Sequence, residues 1–324
     1  MTQRQIIQRR MTQRSMTQRR MTQRRMTQRR GSMAAFGPAM GALLVTVLAA
    51  CSAAPVGTQP AATSPGLADS SPAQPATAAG PAWFVTRAAL ASLIADQTAR
   101  DRLLGAQIYE ILRIGQKPVA GVPARYVITF TSATTLRQAV TSGQIPPGTY
   151  GVMYDPEVWS FTPVAEQRDP VRAAASAASV AHAHGLRFIV TPALNLTTVL
   201  APSSSAPRWR RFLDLNLAAQ FARVADIVEL QAQSLERDAA TYTAFVREAT
   251  AQATAAKPGV VVIAGLSTNP PGGTVSSANL TAAITATRTL VTGYWLNIPG
   301  PGAQCPTCGP ANPAIAIAAL RQLA

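Results

Sequence analysis

From Tyr126 onward, apolar residues fall into two alternating rhythms: short runs rich in Val, Ile, Tyr and Phe, and longer stretches with apolar positions three or four apart. The first rhythm suits strands and the second amphipathic helices. The spacing predicts strands at Tyr126–Thr131, Tyr150–Tyr154, Arg187–Thr191, Ile227–Gln231, Val260–Leu266 and Gly293–Ile298. Helices are expected near Thr134–Val140, Pro170–His184, Pro207–Val224, Ala239–Ala256 and Ala278–Leu290, with a last one near Pro313–Leu323. Upstream, Thr86–Leu104 has helical spacing, and Ile108–Ile114 suits either a strand or a continuation. Asp169-Pro170 supplies an N-cap oxygen ahead of a proline at the first helical position, and Asn312-Pro313 repeats that pair. Gly185 stands where the helix from Pro170 must end.

Strands that alternate with helices pair in parallel through right-handed crossovers, which leaves an open doubly wound sheet or a closed barrel. No G-x-G-x-x-G or G-x-x-x-x-G-K-[ST] follows any strand, as a nucleotide-binding sheet would require. Six βα units and an irregular start, over about 240 residues, fit an eight-stranded barrel. The expected fold class is therefore α/β: a single TIM-type (β/α) barrel over residues 82–324, irregular or incomplete in its first strands.

Composition and charge sharpen the domain organisation. The 324 residues are 48% hydrophobic and 13% charged, enough to bury a full-sized core. The net charge of +15 would favour a nucleic-acid partner, but ten of the 29 basic residues lie in residues 1–50, where there is no acid. Without that tract 19 basic residues face 14 acidic ones, so no nucleic-acid partner is expected. Residues 1–25 form a low-complexity tract that reads as a start assigned too early, with Met11-Thr-Gln-Arg-Ser and then MTQRR from Met16 and Met21, the repeat recurring once more from Met26. Residues 26–50 then read as a signal peptide, with Arg29 and Arg30 flanking the apolar stretch Ala34–Ala50.

The stretch ends in Leu48-Ala49-Ala50-Cys51, which resembles the lipobox of bacterial lipoproteins; the resemblance implies a lipid on Cys51. About 17 residues, with Gly37, Pro38 and Gly41 among them, are short for the roughly 20 of a spanning helix. Residues 51–81, almost all Ala, Pro, Ser, Thr and Gly, read as a stiffened tether. The expected location is the extracytoplasmic face of a cell membrane, held by the lipid, with the barrel monomeric.

In such barrels the working groups lie at the carboxyl ends of the strands. That places Asp155 and Glu157, Asn195, Glu229 and Gln231, Ser267, Thr268 and Asn269, and Asn297 around one mouth. The period of two puts Glu229 and Gln231 on one face, with Val228 and Leu230 turned toward the helices, and puts Trp295 and Asn297 together likewise. Acids, amides and the indoles of Trp159, Trp209 and Trp295 suit a sugar, which has an apolar ring face and a rim of hydroxyls.

In general form this exported barrel resembles secreted glycoside hydrolases. The segments YDPEVW (Tyr154–Trp159), LSTNP (Leu266–Pro270) and YWLNIPG (Tyr294–Gly300) resemble a family of actinobacterial secreted proteins of that kind, a likeness that implies no particular activity. Glycoside hydrolysis needs two carboxylates across the bond. Glu157 is the candidate acid and Glu229 its partner, with Asp155 orienting or tuning one of them. Trp159, Asn195, Gln231, Asn297 and Trp209 are the candidate substrate-binding residues. Two structural readings stay open: Asp155-Pro156 as a turn, and Glu229 in an internal polar network. Trp295, inside a strand, suits core as well as platform. Arg208, Arg210 and Arg211 around Trp209 suit either an anionic ligand or a solvated basic face.

With Cys51 assigned to lipid, Cys305 and Cys308 remain as an even pair in an oxidising compartment, which favours a local disulfide. A zinc site would want four ligands, and His182 and His184 point apart on a helix. No metal or organic cofactor is expected. The sequence thus predicts a surface-anchored barrel that binds a carbohydrate, hydrolysis being left open; the alternative is a non-catalytic envelope lipoprotein that binds a small polar ligand or a partner protein.

Overall fold

A computed structural model describes residues 80–270, 272–306 and 308–323. The MTQRR tract, the apolar stretch, Cys51 and nearly all of the tether lie outside them. Two strands, β1 (Ala82–Thr86) and β2 (Ile108–Leu112), precede the six read from the sequence. Those six are β3 (Ala124–Phe130), β4 (Thr149–Tyr154), β5 (Arg187–Val190), β6 (Ile227–Leu230), β7 (Val261–Ser267) and β8 (Gly293–Asn297). Each strand pairs in parallel with the next, and β8 returns to β1 with Gly293 opposite Ala82, so the sheet closes as a TIM-type barrel.

The first strands are neither missing nor irregular: β1 and β2 pair from Trp83–Ile108 to Thr86–Ile111 without a break. The one register shift lies between Tyr126 and Val127, where β3 meets β4. The pattern of β2 is obscured by Glu110, whose carboxylate faces outward and accepts from the Val119 amide at 2.9 Å.

Helices fill the crossovers except that from β2 to β3, which is a loop: α1 (Arg87–Leu93), α2 (Gln97–Leu104), α3 (Ala133–Thr141), α4 (Val164–Arg168), α5 (Pro170–Ala183), α6 (Thr197–Leu200), α7 (Arg208–Asp214), α8 (Leu217–Ala222), α9 (Ala239–Ala256) and α10 (Ser277–Thr287), with α11 (Pro313–Gln322) after β8. Asp169 caps α5, accepting from the Arg172 amide at 3.2 Å, and Gly185 follows it at φ 69°. The parallel expectation for Asn312 fails: its side chain makes no cap hydrogen bond, and α11 starts on the ring of Pro313 alone. Nor is Pro207–Val224 one helix. Asn216 is left-handed at φ 53°, which a right-handed helix cannot include, so α7 and α8 are separate.

The core has two layers, as the strand period demands. Outward residues such as Val228, Leu230, Tyr154 and Leu266 pack against the helices. Inward residues Phe84, Tyr109, Ile111, Val127, Met153, Ile189, Ile227, Ile263 and Trp295 fill the barrel. Its amino-terminal end is plugged by aromatics and one guanidinium. Phe84 stacks on Tyr109 at 4.1 Å, and Arg125 lies 4.9 Å from the Tyr150 ring centre. Toward the carboxyl ends the inward residues become polar.

Candidate active site

A cleft of about 680 Å³ opens at the carboxyl ends of the strands. Its lining includes Asp155, Glu157, Trp159, Asn195, Gln231 and Asn297. The phase that puts Met153 inside the barrel also turns Asp155 inward, one residue beyond β4. There Asp155 Oδ1 accepts from Thr191 Oγ1 and from Gln231 Nε2, both at 2.8 Å. Gln231 Nε2 also donates to the Thr191 carbonyl at 2.8 Å, which fixes the amide's orientation.

The segment after Asp155 is tied down at several points. Asn195 Nδ2 donates to Glu157 Oε2 at 3.3 Å, while its Oδ1 accepts from the Val158 amide at 2.9 Å. Thr162 Oγ1 accepts from the Glu157 amide at 3.2 Å and from Trp159 Nε1 at 2.8 Å, and donates to the Thr131 carbonyl at 2.8 Å. Beneath, the buried Glu166 of α4 accepts from Ser132 Oγ, the Ala133 and Thr134 amides, Thr134 Oγ1 and Tyr154 Oη, at 2.8–3.1 Å. A carboxylate on the first amides of α3 also meets the positive end of that helix. The loop that carries the acids is thereby pinned to the wall.

Burial sets the proton affinities. Asp155 is pushed up to about 6 by desolvation, against the stabilising hydrogen bonds of Thr191 and Gln231. Glu157 is pushed up to about 8, by desolvation and then by the negative charge of Asp155, with only the Asn195 hydrogen bond opposing. Glu229 is fully buried and raised well above the usual glutamate range by desolvation and by both other carboxyls. The three acids thus form one electrostatic cluster in which each carboxyl holds its proton more tightly than a free one does.

Glu229 does not occupy the place expected of a reacting partner. It faces inward with Gln231, yet lies below the lining, with Oε2 unpartnered and Oε1 accepting weakly from Gln233 Nε2 at 3.4 Å. Trp209 is also displaced: it is half-buried against the outer helical layer and does not line the cleft. The phase of α7 turns its indole away and leaves Arg208 at the lining. Trp295 belongs to the inner core and to the cleft floor at once, 7% exposed.

The cluster of arginines around Trp209 resolves into separate roles. Arg210 pairs with Asp214 at 2.8 Å and with Glu248 at 3.1 Å. Arg211 donates to the Ala201 carbonyl at 3.2 Å. Only Arg208 faces the cleft. Sequence reasoning missed Thr191, which a polar residue just past β5 announces, and Gly265, Gln233, Arg87 and Arg113, which nothing in the pattern singled out.

Cys305 and Cys308 form a disulfide, Cα–Cα 5.3 Å, in the loop after β8, and both line the cleft. His182 Nε2 meets Asp226 Oδ2 at 2.8 Å near the amino-terminal end, away from the acids. Among the described residues there is no group of three or more His, Cys, Asp or Glu side chains arranged to hold a metal ion.

No family model matches the chain, and no curated protein matches it. Among solved structures it is similar to a putative α-L-fucosidase from Bacteroides thetaiotaomicron, with 9% identity over 62% of this chain and 76% of the other and a TM-score of 0.43. It is also similar to a GH128 endo-β-1,3-glucanase from Amycolatopsis mediterranei in complex with laminaritriose, with 13% identity, 75% and 98% coverage and a TM-score of 0.41. Triosephosphate isomerase from Bartonella henselae matches too, with 15% identity, 67% and 92% coverage and a TM-score of 0.40. These likenesses bring no activity with them.

Proposed function

We propose that the barrel binds a carbohydrate in this cleft and hydrolyses it, with Glu157 as general acid and Asp155 as its ionised partner. One observation carries the reading: two carboxyls two residues apart line one cleft, and their surroundings drive their proton affinities apart. Glycosidic cleavage wants that division, a proton for the leaving oxygen and a negative charge facing the oxocarbenium-like transition state. Between about pH 6 and 8 Glu157 holds its proton while Asp155 has lost one. Trp159 offers a ring face, and Asn195, Gln231 and Asn297 offer amides to hydroxyls. Glu229, beneath the lining with its proton affinity raised by burial and by the other two carboxyls, is a positioning residue in this scheme.

The same reading includes a lipid on Cys51 and a monomeric barrel tethered at the extracytoplasmic face. It is supported by the LAAC sequence and by a disulfide of the kind that persists in oxidising compartments. Mass spectrometry of the mature amino terminus tests it; an unmodified Cys51 still joined to Ala50 contradicts it.

The activity is tested by counting new reducing ends on a panel of oligosaccharides. Wild type should release them, and Glu157→Gln should lower the rate by about 100-fold or more. Oligosaccharide bound but unaltered over long incubation would make the barrel a binding protein, a role that the tight bonding of Asp155 to Thr191 and Gln231 also suits.

A further inference from the structure

The charged residues of the cleft lining are unevenly divided. Three arginines, Arg87, Arg113 and Arg208, face two carboxyls, Asp155 and Glu157. None of the three belongs to any of the six ion pairs among the described residues, which use Arg172, His182, Arg187, Arg210 and Arg321. Glu157 holds its proton near neutrality, so the lining is positive there by about two charges.

These guanidinium groups are distributed along the mouth. Arg87 follows β1, Arg113 follows β2 and Arg208 opens α7, in the connection between β5 and β6, so they lie on different parts of the rim. Two are held by their own chain. Arg87 Nε donates to the Lys117 carbonyl at 2.6 Å, and Arg113 donates to the side chain of Gln304, beside the Cys305–Cys308 bridge. Arg87 is also within electrostatic reach of Glu110, but that carboxylate lies on the outer face of β2 and takes the Val119 amide. Arginine presents a planar fork that matches carboxylate, sulfate or phosphate oxygens.

We propose that the cleft selects an oligosaccharide carrying anionic groups on successive units, gripped by Arg87 and Arg113 on one side of the scissile bond and by Arg208 on the other. This rests on the glycan reading of the site and names its substrate class. A neutral glycan would leave the excess of about two positive charges around the mouth unbalanced. An anionic one neutralises them while its ring and hydroxyls meet Trp159 and the amides.

The test uses the full chain and compares oligogalacturonate, carboxyl-reduced oligogalacturonate and a sulfated galactan oligomer by titration calorimetry. At least one anionic ligand should bind about tenfold or more tighter than the neutral one, with a preference that shrinks as salt rises. Which of the two binds tells carboxylate from sulfate. Arg87→Gln with Arg113→Gln, and separately Arg208→Gln, should each cut the preference about tenfold, whereas Arg172→Gln, outside the cleft, should not. Equal binding of anionic and neutral forms, or a preference that survives both arginine variants, overturns the proposal and leaves the glycan reading standing. Failure of every glycan in the panel to bind overturns both.

Discussion

Gly265 on β7 stands against the carboxyl of Glu229 on β6. A methyl group built on Gly265 would overlap Glu229 Oε1 and would come within 2.6 Å of Gln233 Nε2. The missing side chain is what lets a glutamate sit inside the barrel under the cleft. Gly265→Ala should therefore displace Glu229 and Gln233 together and cost about 1–3 kcal/mol by overpacking. Urea denaturation measures it; a variant as stable as wild type would mean that the Glu229 pocket has slack.

The five hydrogen bonds on Glu166 make a second prediction. Glu166→Ala strips the first amides of α3 and the Tyr154 hydroxyl of their acceptor, which should destabilise the barrel by about 2 kcal/mol or more. Because α4 continues the loop that carries Asp155 and Glu157, ligand affinity should fall as well. Glu166→Gln, which keeps one acceptor oxygen, should recover part of both. Loss of stability without loss of affinity would show that the loop holds its shape unaided.

Much of this was legible in the sequence, and the failures have physical causes. Strands β3 to β8 declared themselves because each is followed by an amphipathic stretch of different period. β1 and β2 did not: AWFVT runs straight into a helix at Arg87, and IYEIL has a buried acid in its middle whose partner amide lies nine residues on. The mouth was legible through the period of two, which put Glu229 and Gln231 on one face. Depth along the strand is not legible that way, and Gly265 makes room for Glu229 below the cleft surface. Trp209 lies beside a loop, and the helical phase that turns it against the outer core does not show in that position alone. Arg87 and Arg113 gave no pattern, since an arginine at a helix start or strand end is usually solvated.

Glu236, in the loop after β6, gives a pH dependence of stability. It is fully buried, accepts from the Ser267 amide at 3.1 Å and is pushed up to about 8, chiefly by desolvation. The folded state then binds more protons than the unfolded chain between about 4.5 and 8, so stability falls as pH rises through that interval. Its contribution is fully kept below the lower value. Glu236→Gln, which keeps the acceptor and cannot ionise, should flatten the decline and raise stability at pH 8 relative to wild type. Melting temperatures of the two proteins from pH 4 to 9 decide it; parallel curves would contradict the assignment.

Thr191 bears on catalysis. Its hydroxyl stabilises the ionised form of Asp155, so Thr191→Val should raise that carboxyl above about 6. A hydrogen bond to a charged group is worth about 1.5 kcal/mol or more, which corresponds to roughly one pKa unit. The acid limb of the pH–rate profile of kcat/KM should move upward and the active window, about 6 to 8 in wild type, should narrow from its acid side. A profile whose alkaline limb moves upward instead, widening the window, would place Asp155 in the other role.

The central claim is that Glu157 stays protonated at neutral pH while Asp155 beside it does not. Carbon-13 NMR titration of the side-chain carboxyls, in wild type and in Glu157→Gln, tests this without any substrate. The account predicts a glutamate signal with a midpoint near 8 that is absent from the variant, and an aspartate midpoint near 6 that stays in place in the variant, because its neighbour is already uncharged where it titrates. A missing signal with its midpoint in the ordinary glutamate range, about 4 to 4.5, would contradict it.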